Sequence, residues 1–130
     1  MFQLLHNLDP TLLIVLFSPI AIVLAAWALR IACSFSSITP PRFMHAVASV
    51  VAIILGHLAV RYYLDWNQVP PGLGRIVFAP LITSAAMIGI SVPTGPMSAI
   101  TVAVFHAGLC LLLFMGLAVV GDALIAPLLV

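Results

Sequence analysis

Four apolar runs, residues 11–33, 42–64, 73–92 and 97–120, constrain this chain more than any other feature. Each supplies the roughly 20 residues that a helix needs to cross a bilayer core at about 1.5 Å per residue. In lipid, every backbone N–H and C=O must find its partner within the protein. Runs of this length therefore form helices. Composition agrees: only 5% of residues are charged, with no Lys and no Glu. A soluble domain carries about 25% charged residues to solvate its surface. The mean hydropathy is +1.34. The expected fold class is all-α: a polytopic membrane protein with four transmembrane helices in an up-down bundle. Residues 1–130 are read as a single membrane domain.

Two related stretches organise the runs. Residues 39–47, TPPRFMHAV, and 92–100, VPTGPMSAI, align without a gap. Pro40 meets Pro93, Met44 meets Met97, Ala46 meets Ala99, and Val47 meets Ile100. Proline suits the first turn of a helix, where its missing N–H would have no partner. Pro40, Pro41, Pro93 and Pro96 are thus read as elbows that launch the second and fourth spans. Further echoes exist. Phe17-Ser18-Pro19-Ile20 resembles Phe78-Ala79-Pro80-Leu81, and Leu58-Ala59-Val60 resembles Leu117-Ala118-Val119. They suggest two repeated helical hairpins, residues 11–65 and 73–122, related by an axis along the membrane normal.

Small residues recur at helical spacing on every span. They are Ser18, Ala21, Ala25 and Ala28, continuing to Ala32, on the first, and Ser49, Ala52, Gly56 and Ala59 on the second. The third carries Ala79, Thr83 and Ala86, with Ala85 and Gly89 beside them, and the fourth Ala99, Ala103 and Ala107. In lipid, helices associate through close backbone approach, which small residues permit. These stripes are expected to face inward, with Leu, Ile, Val and Phe outward. Their bland explanation is that Ala, Gly and Ser are common in membrane helices.

Local signals mark the ends. Asp9 reads as an N-cap before Pro10. Pro19 is expected to bend the first span. Trp27 and Arg30, then Tyr62, Tyr63 and Trp66, mark interfacial levels. Arg61 and Asp65, four residues apart on one helical face, are placed where they could pair. Residues 121–130 are expected to lie in the interface or on the bundle.

Candidate chemistry is sparse. His57 and His106 fall inside spans two and four, and an ionisable residue at membrane depth is a functional candidate. Facing histidines can ligate haem iron or relay protons. Their estimated depths differ by roughly 9 Å at 1.5 Å per residue, which suits neutral histidines hydrogen-bonded across helices better than a bis-histidine haem. His6 and His45 are read as interfacial. No cofactor or metal is expected. Cys33 and Cys110 lack any metal or disulfide spacing. The acids Asp9, Asp65 and Asp122 all lie near span ends. No Ser-His-Asp set, Lys-bearing phosphate loop or HExxH occurs. The Arg residues are dispersed, so nucleic-acid binding has no electrostatic basis. The chain is therefore read as no enzyme.

The N-terminal segment MFQLLHNLDP lacks Lys and Arg, so the first run is expected to remain as a span rather than act as a cleaved signal. The Arg count is tied between the two sides. All three Asp residues fall with the termini, which leans the reading toward both termini outside, in a bacterial inner membrane. Two function classes fit this pattern. The first is a structural or accessory subunit, packed against other membrane proteins or itself. The second is a small oligomeric transporter or channel, with Pro19 and Pro80 breaking corresponding helices. A haem-bearing redox subunit is a third, resting on the two histidines alone.

Overall fold

The computed structural model of this chain describes residues 10–125, all-helical between short turns. Helix α1 spans Pro10–Phe35 and α2 spans Phe43–Trp66. Helix α3 spans Gly74–Ser91, opening with a π-helical segment, Gly74–Phe78, and continuing as α-helix over Ala79–Ser91. Helix α4 spans Pro96–Ile125. All four are long and apolar enough to cross a membrane. This is an integral membrane four-helix bundle. Each helix packs against two neighbours, α1 on α2, α2 on α3, α3 on α4, and α4 back on α1. The Asp9 cap and His6 lie outside the described residues. Helix α4 runs beyond its expected end at 120, so residues 121–125 continue the helix instead of starting a separate tail.

The elbows launch helices at equivalent places. The Ala46 N–H donates to the Arg42 carbonyl at 2.9 Å, and the Ala99 N–H donates to the Gly95 carbonyl at 2.9 Å. Pro96 takes the first helical position, as its missing N–H favours. Pro40 and Pro41 instead precede α2, in the approach to its cap at Arg42. Helices α1 and α2 end alike. The Ile38 N–H reaches back to the Cys33 carbonyl, and the Val69 N–H to the Leu64 carbonyl. This closure places one residue in the left-handed region, here Ser37 and Gln68, at φ 57° and 52°.

Packing is concentrated at the elbow end, beside the loops of residues 36–42 and 92–95. The buried cluster takes Ala26, Leu29 and Cys33 from α1, with Ala46, Val50 and Ile53 from α2. It takes Ala85, Ile88 and Val92 from α3 and the turn after it, with Ala99, Val102 and Ala103 from α4. Toward the opposite end burial falls away. Every described side chain from residue 11 to 20 on α1 is exposed, and so is every residue from 111 to 120 on α4. Burial also keeps register between the elbowed helices. Ala46, Ser49, Val50 and Ile53 are buried, and so are Ala99, Val102, Ala103 and His106, each 53 positions on.

The small-residue stripes divide into three groups. Ala28, Ala32, Ser49, Gly56, Thr83, Ala99 and Ala103 are buried, and Ala21, Ala25, Ala52 and Ala79 are half-buried. Ser18 and Ala107 are exposed yet line a central cavity between the four helices. Ala59 and Ala86 are the corrections: both are exposed and line neither of the two cavities described below. On α3 the buried positions are Thr83, Ala85 and Ile88, and Ala86 turns to the exposed side of the same regular helical segment.

Candidate functional site: histidines between the helices

The polar groups of the bundle act mostly through backbone carbonyls. The last carbonyls of a helix have no intrahelical donor. Ser91 ends α3, and His45 Nε2 on α2 lies 2.7 Å from its carbonyl oxygen. A carbonyl only accepts, so Nε2 carries the hydrogen. His45 thereby caps a neighbouring helix. This is a more specific task than the interfacial position expected for it.

His57 and His106 do the same deeper in the bundle. His57 Nε2 on α2 lies 3.0 Å from the Pro80 carbonyl and 3.0 Å from Ser84 Oγ, both on α3. His106 Nε2 on α4 lies 3.1 Å from the Ala25 carbonyl on α1. The Cys110 thiol is 3.5 Å from the same nitrogen, one turn along α4. Each histidine thus ties the second helix of one hairpin to the first helix of the other. Measured from their helix starts, the two rings are one turn apart, about 6 Å. They sit nearer in depth than the span positions in the sequence imply. Both rings use Nε2 as a donor to protein oxygen. Holding haem iron through that nitrogen would require each ring to leave its carbonyl. Among the described residues, no group of three or more His, Cys, Asp or Glu side chains is placed to hold a metal.

Two cavities meet at His57. The central one, about 320 Å³, draws on all four helices and includes Ser18, Ala25, His57, Ser84, His106 and Cys110. The second, about 550 Å³, lies between α2 and α3 on the side away from the elbows. Val60, Leu64 and Ile76 supply apolar wall, and Arg61 and Arg75 supply cationic groups. His57 borders both. The start of α3 shapes the second cavity. Its π-helical turn stands directly before Pro80, whose ring would clash with the carbonyl four residues back in a regular helix. The wider turn, closed by the Ala79 N–H on the Gly74 carbonyl, relieves that conflict.

Arg75 corrects the expected ion pairing. One terminal nitrogen donates to the Val69 carbonyl at 2.7 Å. The other pairs with the Asp65 carboxylate, so Asp65 is joined across the loop and not to Arg61. Arg61 makes no hydrogen bond or ion pair among the described residues. Two buried side-chain atoms at the far end of α1, Arg30 Nε and Ser36 Oγ, also lack a partner among the described residues. The side chain of Asp122 lies outside the described residues.

Sequence reading singled out His57 and His106 but not their acceptors, which are main-chain oxygens and carry no residue signature. It missed His45 as a cap and Arg75 as the loop clasp. The one available signal was the Arg75 position, three residues past the Pro70-Pro71-Gly72 turn that brings the chain back toward α2. In comparisons with protein-family models, with curated proteins and with solved structures, nothing matches this chain.

Proposed function

We propose that this protein is a non-enzymatic component of a membrane complex, which works by packing its exposed helix faces against other membrane-embedded helices. One observation carries the reading. The half of α4 away from the elbows is exposed at every residue from 111 to 120, yet it carries small residues. A Cβ added at Gly116, or at Gly108 just before this stretch, would find nothing within 4 Å. Ala59 and Ala86 add small exposed positions on α2 and α3. Positions of this kind let a partner backbone come close, whereas a surface meant only for lipid has no need of them. The partner is another subunit or a second copy of the chain. The matched burial registers of α2 and α4 support descent from a duplicated hairpin. The grouping of the Asp residues with the termini supports both termini outside, in a bacterial inner membrane.

The test is the native mass of the protein after gentle extraction from its own membrane, with an absorption spectrum on the same sample. A colourless assembly larger than one chain is the expected result. A lone monomer under the mildest detergent that extracts it overturns the reading, and a Soret band would redirect it to haem.

A second reading, a small oligomeric transporter or channel, rests on the two cavities that meet at His57 while the elbow end is closed. Flux of labelled solutes into liposomes tests it directly. Its polar lining is thin, which is why it stands second.

A further inference from the structure

We infer that the cavity between α2 and α3 is a binding site for a membrane phospholipid, with the lipid phosphate held at Arg61 and an acyl chain laid along the apolar wall. Five observations converge. The cavity, about 550 Å³, falls within the range of about 300–1,000 Å³ typical of small-molecule sites. Its lining divides by chemistry: Val60, Leu64 and Ile76 on the wall, Arg61 and Arg75 as the cations. Arg75 is already matched by Asp65, so the net charge of the three groups is that of Arg61 alone. A phosphodiester carries one negative charge and balances it. Arg61 also has its donors free, with no hydrogen bond or ion pair among the described residues.

Depth supplies the last observation. Tyr62, Tyr63 and Trp66 are exposed on the same stretch of α2 as Arg61. Tyr and Trp collect at the headgroup level of a bilayer. A guanidinium beside them stands at phosphate height, with its cavity running toward the hydrocarbon. Basic pockets between membrane helices suit lipid head groups on these terms. The site belongs to one chain, so it holds whether or not the protein assembles with partners.

The experiment uses the full chain, delipidated in detergent and titrated with phosphatidylglycerol under native mass spectrometry. One lipid per chain is expected to be retained. Arg61→Gln is expected to weaken retention about fivefold, the loss of one cation near the surface. Arg42→Gln, an exposed charge at the elbow end, is expected to change nothing. Ile76→Trp narrows the wall at an exposed position without altering charge, and it is expected to weaken retention too. Diacylglycerol with the same acyl chains is expected to be lost. Equal retention by wild type and Arg61→Gln overturns the proposal, as does unchanged binding in Ile76→Trp. Equal retention of diacylglycerol does so as well. Displacement of the lipid by millimolar inorganic phosphate would mean a free-anion site, and also overturns it.

Discussion

The imidazole of His106 donates from Nε2 to the carbonyl oxygen of Ala25, 81 residues earlier in the chain, at 3.1 Å. The bond joins the last helix to the first and so closes the ring of four. Ala25 lies mid-helix, and its carbonyl has two lone pairs, so it accepts from the ring without giving up a helical bond.

Replacing His106 with Leu keeps the bulk and removes the bond. Cross-helix bonds in membrane proteins average about 0.6 kcal/mol and reach about 1.7 kcal/mol. His106→Leu is expected to lower stability within that range, read as a drop in unfolding midpoint in detergent. No change would mean that α1 and α4 are held by packing alone.

Gly56 offers a sharper packing test. A Cβ there would lie 3.0 Å from Met87 Cε and 3.1 Å from Thr83 Cγ2. Met87 is flexible and yields to an alanine, but a leucine overfills the contact, at about 1–3 kcal/mol. Gly56→Leu is expected to destabilise strongly and Gly56→Ala mildly. Gly116→Ala, with open space around it, is expected to be neutral to stabilising, because alanine is the better helix former. A Gly56→Leu protein as stable as wild type would place this face outside the bundle.

The Asp65–Arg75 pair and the alternative Asp65–Arg61 pair are separable by double-mutant cycles. Asp65 is about half exposed, so coupling with Arg75 is expected at about 0.2–1 kcal/mol. Coupling of Asp65 with Arg61 is expected at zero within error. The reverse ranking would restore the helical pairing rule that the sequence suggests.

Gln68 closes α2 in the left-handed region, at φ 52°. A residue with a Cβ is disfavoured there by about 1–2 kcal/mol, and glycine is not. Gln68→Gly is expected to raise the unfolding midpoint. A lower midpoint would show that the side chain itself has a structural task.

The spans were legible because length and apolarity alone determine a bilayer-crossing helix. The boundaries fall within a few residues at every end except the last, where α4 continues to Ile125. The inward faces were legible in part. Apolar residues surround each helix, so hydrophobicity marks no side, and small residues were the only guide. They point inward at Ala28, Gly56 and Ala103 but outward at Ala59 and Ala86. On α3, Ala85 and Ala86 are adjacent small residues, so size alone did not say that Ala85 is the buried one. The histidine bonds were hidden for another reason. Their acceptors are the oxygens of Ala25, Pro80 and Ser91, and any residue type supplies the same oxygen. Arg75 reaches Asp65 only because a non-helical loop folds back, which a rule for neighbours on one helix does not see.

The one-sided packing of the bundle has a mechanical consequence. With the buried core concentrated at the elbow end, the opposite end is held mainly by the α2–α3 loop and its Arg75–Asp65 clasp. A given change of helix tilt about Leu29, Ile88 and Val102 would displace Trp66 and Val120, far from that core, more than His57 or His106. His57 and His106 lie between, each tying two helices together partway along their length. A molecule bound at the open end would therefore have the longest lever on the spacing of the helices, and one bound at the elbows the shortest.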